Sequence, residues 1–331
     1  MTACQPPSLN TNPATWSNSR LAAQLIIAGS LMARVKDDWR WVDAGIGGIV
    51  LMGDPPKDLG SQLALLRATG PVPPLIACDV EGGASFIAPL IGSVPTESQL
   101  GAHYTPAQIK YIFYVMGLRM KALGVDVDFA PVADLLSPGH YIASLQRAFS
   151  SNPQIAAADA VAWEQGMRLA GVLPVVKHWP GHGEAANTHV GPGITPPLSV
   201  MEARDMVPFN AVFASGGRAV MVGHLTVPGL TNGLPATLSP AAYRYLRARI
   251  GPQGLILTDL MEMAAVTTSM HLDDVTAAVR ALESSADVVL ALTDPYVLKD
   301  AITRAIDSGQ YPRANAVASA QRMLAAKRIL Q

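Results

Sequence analysis

The stretch Lys177-His178-Trp179-Pro180-Gly181-His182-Gly183-Glu184, followed by Asn187-Thr188-His189, is the strongest local signal of chemistry in this sequence. A proline and two glycines bend the backbone there, so its lysine, histidines and glutamate are presented from a loop, the kind of segment on which function concentrates. Histidine exchanges a proton near neutral pH, with a reference pKa of about 6.5, which suits general acid and base catalysis. His178, His182 and His189 also raise the question of zinc. The sequence has neither a His-Glu-x-x-His helix nor a ligand-spaced cysteine pair, and the Pro180-Gly181 bend breaks helical register between the first two histidines, so no metal is expected. Other polar residues close or interrupt apolar runs: Asp79, Asp128, His224 and the pair Thr258-Asp259. Singly, each reads more readily as a structural polar residue ending a strand, and His224 at least as readily as a hydrogen-bonded core histidine. Five runs ending alike point to one shared pocket.

The elements that must position these residues follow from the apolar pattern. Runs at residues 48–52, 74–78, 125–130, 172–176, 219–222, 255–257 and 288–292 read as fully buried strands. Helical patterns separate them, at about 58–69, 106–123, 153–170, 199–214, 239–249, 273–285, 296–307 and 314–330. Steady alternation of this kind means parallel pairing through right-handed crossovers. The predicted fold class is α/β, a single (β/α)8 TIM-type barrel. A doubly wound open sheet should carry a Gly-rich phosphate turn after its first strand, whereas Gly45-Ile46-Gly47-Gly48 precedes the first run. In a barrel the active site lies at the C-terminal ends of the strands, where the polar residues above fall. An eighth strand is expected within residues 40–50 or in irregular form. Leu21, Leu25 and Met32 behind Ser19 read as a first amphipathic helix. Residues 1–18, rich in Pro, Asn, Thr and Ser, read as a flexible leader and residues 19–331 as one domain without internal repeats.

Half of the 331 residues are hydrophobic and 15% are charged, against roughly 25% charged in an average soluble protein. The core is therefore large. With 24 basic and 25 acidic residues the net charge is −1, which excludes the electrostatic footprint of a nucleic-acid partner or an anionic membrane and favours a neutral substrate. No run approaches the ~18 apolar residues of a transmembrane segment. Two cysteines, Cys4 and Cys78, rule out a disulfide scaffold. Cys78, within an apolar run, reads as a small buried side chain. Met1-Thr2-Ala3-Cys4, ahead of a stretch rich in Pro, Ser, Thr and Asn, resembles the end of a bacterial lipobox. That reading makes Cys4 a lipid anchor and favours the cell envelope over the cytoplasm; a chance cysteine is the competing reading.

Lys177-His178-Trp179-Pro180-Gly181-His182-Gly183 resembles the KH(F/W)PGHG signature of glycoside hydrolase family three. Further pieces match in order after residue 20: Gly47-Gly48-Ile49-Val50-Leu51, Asp79-Val80-Glu81-Gly82-Gly83, Gly124-Val125-Asp126-Val127-Asp128-Phe129-Ala130-Pro131-Val132, Arg147-Ala148-Phe149 and Leu257-Thr258-Asp259. The histidine-bearing loop and the single-domain length resemble the NagZ-type β-N-acetylglucosaminidase branch. The resemblance implies a retaining double displacement that removes β-linked N-acetylglucosamine from peptidoglycan fragments or related glycosides. By matching position it implies Asp259 as nucleophile, His189 as acid/base, Asp79, Arg147, Lys177 and His178 as sugar ligands, and His182 as a shaper of the loop. The residues alone leave Asp259 one of several candidate carboxylates. No cofactor is implied, because a carboxylate and an imidazole suffice. A carbohydrate is the expected partner, and the chain is expected to be a monomer.

Three positions depart from the family. Asn187 stands where an aspartate precedes the acid/base histidine by two residues, and an amide cannot stabilise an imidazolium by charge; a comparable change in a serine-protease triad costs on the order of 10⁴ in turnover. Ala84 stands where an arginine follows the two glycines, removing a planar donor. Leu260 follows the nucleophile where many relatives carry an acidic or aromatic residue. These departures keep two alternatives: a family-three enzyme of other sugar specificity or a phosphorylase, and a catalytically weak barrel that serves as a binding module.

Overall fold

Short apolar runs, buried on both faces, build a closed ring of parallel strands in the computed structural model, which describes residues 11–70 and 72–329. The strands are β1 (Ile26–Leu31), β2 (Gly48–Met52), β3 (Leu75–Cys78), β4 (Val127–Asp128), β5 in two pieces (Leu173–Pro174 and Val176–Trp179), β6 (Ala219–Val222), β7 (Leu255–Leu260) and β8 (Val288–Ala291). Each pairs in parallel with the next, and β8 pairs back onto β1 with Val289 opposite Ile26. The two pieces of β5 close the ring: Leu173 lies opposite Val127 of β4, and Val176 opposite Val220 of β6. This is the expected (β/α)8 barrel.

Alternation along each strand divides the apolar residues between two cores. Ile27, Val50, Ala77, Val127, Met221, Leu257 and Leu290 fill the barrel interior, joined by Met323 and Ala326 of the last helix, Arg313–Ile329. Their neighbours Ile26, Ile49, Ile76, Val220, Ile256 and Val289 face outward into the larger core beneath the helices. Both faces are buried, which is why the strands read as unbroken apolar runs. Helix starts are set by local chemistry. Pro106–Leu123, Pro153–Leu169, Pro240–Ile250 and Pro295–Asp307 each begin with proline behind a side-chain cap from Thr105, Asn152, Ser239 and Asp294 respectively.

The eighth strand is β1, not a segment of residues 40–50, where the chain instead forms the short helix Trp39–Asp43. The first helix ends at Gln24, so Leu25 and Met32 share a helical spacing with Leu21 without sharing its helix. Gly29 and Ser30 disguise the strand, being poor strand formers. A Cβ on Gly29 would lie 2.2 Å from Leu292 Cδ2, so the exposed leucine side chain occupies the space that the glycine leaves.

The last part of the expected leader is ordered. Pro13–Thr15 form a 3₁₀ turn, Trp16 is buried under the Arg20 guanidinium, and Arg313 donates to the Ala14 and Trp16 carbonyls at 3.0 and 2.7 Å. Burying one indole outweighs the loop-like composition around it. Cys4 lies outside the described residues. Among the described residues no helix is long and apolar enough to cross a membrane.

Candidate active site

Asp79, Arg147, Lys177, His178, His189 and Asp259 line one cavity of about 740 Å³. Asp79, Lys177, His178 and Asp259 reach it from the C-terminal ends of β3, β5 and β7, while Arg147 and His189 reach it from the segments that follow β4 and β5.

A charge network occupies one side. Lys177 is buried between Asp79 and Glu81, 2.5 Å from each. Arg147 grips Glu81 with two donors, Nη2 at 2.7 Å from Oε1 and Nε on the other oxygen. Burial alone would raise the Glu81 carboxyl, but Lys177 and Arg147 outweigh it and hold it at about 2. For Lys177 burial works downward, and Asp79 and Glu81 overcome it to hold the ammonium above its usual value. Glu81, Arg147 and Lys177 therefore stay charged at neutral pH, and the network presents fixed donors and acceptors of the kind that bind sugar hydroxyls. Below them Glu97 is fully buried, and its Oε1 accepts the Gly82 amide at 3.3 Å. Burial, reinforced by the charge on Glu81, pushes Glu97 up to about 8, so it is neutral at pH 7. Asp128, which also marks a strand end, does not line the cavity. It accepts from the Val80 amide at 3.0 Å and Trp163 Nε1 at 3.2 Å, and burial pushes it up to about 8.

The histidine loop leaves β5 under the control of Asp134. One oxygen of this buried carboxylate accepts the backbone amides of His178 and His182 at 3.2 and 2.7 Å, and the other lies 2.8 Å from His178 Nδ1. Burial would raise the Asp134 pKa, but His178 and His182 outweigh it and lower it. An ionised carboxylate only accepts, so His178 Nδ1 carries the proton and Nε2 is left for whatever fills the cavity. His182 does not line the cavity. Burial pushes it down to about 4, and its Nε2 lies 3.3 Å from Thr188 Oγ1. The Thr188 carbonyl accepts the Ala265 amide at 3.1 Å, tying the loop to the segment after β7. His189 follows with an exposed ring, 6.3 Å centroid to centroid from Tyr141. Asn187 Oδ1 accepts the His189 backbone amide at 3.0 Å, so the amide closes a turn.

Asp259, the penultimate residue of β7, accepts the Leu260 amide on Oδ1 at 2.8 Å. Burial would raise its pKa; His178, His224, the Leu260 amide and Lys177 outweigh it and hold it below the usual carboxylate range. An ionised carboxylate at this place is fit for nucleophilic attack. His224, the remaining strand-end histidine, is a brace. Its Nε2 lies 2.8 Å from the Leu260 carbonyl, which can only accept, so Nε2 carries the proton and Nδ1 accepts from Thr237 Oγ1 at 2.8 Å. Burial depresses its pKa further.

Glu81, at the centre of the charge network, and Asp134, which holds the histidine loop, are residues that the strand-end criterion misses. Glu81 sits in the hairpin Val80–Glu81 with Ala84–Ser85, and only its place in the Asp79–Gly83 segment marks it. Asp134 lies four residues beyond the strand-like run 125–130, past Pro131, so it falls outside the strand end itself. Among the described residues no group of three or more His, Cys, Asp or Glu is arranged to hold a metal ion.

The sequence profile described as "Glycosyl hydrolase family 3 N terminal domain" matches residues 42–326. Beta-hexosaminidase LpqI of Mycobacterium tuberculosis is 35% identical over 316 residues, covering 91% of this chain and 80% of that protein. A beta-hexosaminidase of Xylella fastidiosa is 34% identical over 296 residues, 84% of each chain. The solved structure of M. tuberculosis LpqI superposes with a TM-score of 0.88 at 33% identity over 95% of both chains. A family 3 glycosyl hydrolase from Mycobacterium smegmatis does so with a TM-score of 0.86 at 34% identity, over 95% of this chain and 98% of that one.

Proposed function

This chain belongs to glycosyl hydrolase family 3, and on that premise we propose that it is a retaining exo-glycosidase that removes β-linked N-acetylglucosamine, with Asp259 as nucleophile and His189 as acid/base. The observation that carries this reading is the convergence of Asp259, His189 and the Asp79–Lys177–Glu81–Arg147 network on one cavity. The names of the similar beta-hexosaminidases support the choice of sugar.

The terminal sugar is held through its hydroxyls by Asp79, Arg147, Lys177 and His178 Nε2. Asp259 Oδ attacks the anomeric carbon while the protonated His189 ring gives its proton to the departing oxygen, forming a glycosyl ester and a neutral imidazole. His189 then takes a proton from water, the resulting oxygen attacks the same carbon, and Asp259 leaves as carboxylate. Net configuration is retained, and no cofactor enters the balance. Asp134 contributes indirectly, by fixing the His178 tautomer and the point where the loop departs.

The test is hydrolysis of 4-nitrophenyl N-acetyl-β-glucosaminide, with the anomer of the first product followed by NMR. The expected result is β-N-acetylglucosamine, lost in Asp259→Ala with the fold intact. Release of sugar 1-phosphate in phosphate buffer would move the assignment to a phosphorylase. Binding without turnover across a panel of nitrophenyl sugars would leave only a binding barrel.

A further inference from the structure

The cavity has two chemically different sides. Its charged residues Asp79, Glu81, Arg147, Lys177 and Asp259 come from the ends of β3, β5 and β7 and the segments after β3 and β4, whereas β8 contributes Leu290 and β2 contributes Val50 and Met52 to the lining, with no charged group. The apolar side continues past the rim. Leu31 is the cross-strand partner of Met52. A Cβ on Gly29 would meet both Leu292 Cδ2 and, at 3.3 Å, Met52 Sδ, so Leu292 folds over that glycine beside the methionine. Phe86, beyond the hairpin, lines the same cavity. Leu31, Leu292 and Phe86 are 59%, 47% and 46% exposed. Scattered exposed apolar side chains are ordinary, but several gathered around the mouth of one cleft, two beside Met52 and one, Phe86, in the lining itself, mark a binding surface.

The charge census points the same way. Arg147 and Lys177 are the only arginine and lysine among the described lining residues, and both are committed to Glu81 and Asp79. A carboxylate on the substrate would find neither free. A saccharide gripped through its hydroxyls by the charged side, with its reacting carbon at Asp259 on β7, leaves the adjoining β8–β1–β2 side for whatever the sugar carries.

We propose that this apolar wall, Met52, Leu31, Leu292 and Phe86, receives an aryl or alkyl leaving group, so that the preferred substrate is an apolar glycoside and not a carboxylate-bearing peptidoglycan fragment. The inference rests on the glycosidase reading of the same cavity. It is tested with alkyl N-acetyl-β-glucosaminides from methyl to octyl, alongside one whose leaving group of equal size bears a carboxylate. In the intact chain kcat/KM rises with alkyl length, by up to about fourfold for each methylene fully removed from water, and the carboxylated member falls below its neutral counterpart. Leu292→Asn and Leu31→Ser, at exposed side chains, lower the octyl-to-methyl ratio, and Leu292→Met preserves it. A flat series in a chain that does cleave the methyl glycoside, or preference for the carboxylated member, overturns the inference and leaves the glycosidase reading standing. No cleavage of any member, with 4-nitrophenyl N-acetyl-β-glucosaminide also inert, overturns both.

Discussion

Replacing Glu81 by glutamine keeps the size of the side chain and removes its charge from between Arg147 and Lys177. The fall of the Glu81 carboxyl from an ordinary 4.5 to about 2 is equivalent, at about 1.4 kcal/mol for each tenfold change in proton affinity, to about 3 kcal/mol. That agrees with the roughly 3–5 kcal/mol lost when one member of a buried ion pair is removed. With 331 residues and an unfolding entropy of about 2.1 cal/mol/K per residue, the melting temperature should drop by about 4 °C at pH 7. The pH dependence has a fixed sign. A carboxyl depressed in the folded state stabilises fully above its unfolded value near 4.5, and that stability is lost as pH falls toward about 2. The gap between wild type and Glu81→Gln should therefore be widest near neutrality and narrow below about pH 4.5. Scanning fluorimetry across that range measures it, and a KM increase should accompany it, because Arg147 and Lys177 lose the anchor that aims them. Equal melting temperatures at pH 7, or a gap that persists unchanged in acid, would refute the assignment of Glu81 as the centre of the network.

His224→Ala should cost about 2–4 kcal/mol, by leaving the Leu260 carbonyl and the Thr237 hydroxyl unpaired, and should lower kcat because Asp259 rides on the same strand end; an unchanged kcat contradicts the brace. Asn187→Asp should raise kcat by up to about tenfold through a better stabilised His189 cation, at roughly one pK unit of interaction, whereas a fall would mean that the turn closed by Asn187 requires the amide. Lys327 is buried with its ammonium 3.0 Å from Gln24 Oε1, and burial lowers it from 10.5 to about 7. The unfolded chain then binds more protons between those values, so wild-type stability gains with rising pH across that window. Urea titrations of Lys327→Met should lack that rise, and parallel pH profiles would contradict it.

Much of this arrangement is legible in the sequence because a barrel converts strand ends into a single rim. Lys177, His178 and Asp259 close apolar runs and meet in the cavity, as does Asp79. The same rule overreaches at Asp128 and His224, which point their polar atoms at backbone and neighbouring side chains. Nothing in one dimension distinguishes a polar side chain facing a cavity from one satisfying a buried amide. Asp134 escapes for the opposite reason. Its partners His178 and His182 lie 44 and 48 residues away, so its role exists only once the chain has closed. β1 was hidden by Gly29, whose lack of a side chain weakens the strand signal while making room for Leu292. Trp16 shows how one large apolar residue can dock a segment whose other residues read as loop.

Covalent glycosylation of Asp259 is the step on which the proposed mechanism stands. Incubation with a 5-fluoro-N-acetylglucosaminyl fluoride, followed by digestion with trypsin and tandem mass spectrometry of the peptide spanning residues 250–280, reads this out directly. Time-dependent inactivation with one added glycosyl unit on Asp259 is the expected result. A label on Glu262 or any other carboxylate, or inactivation without a label, would contradict it.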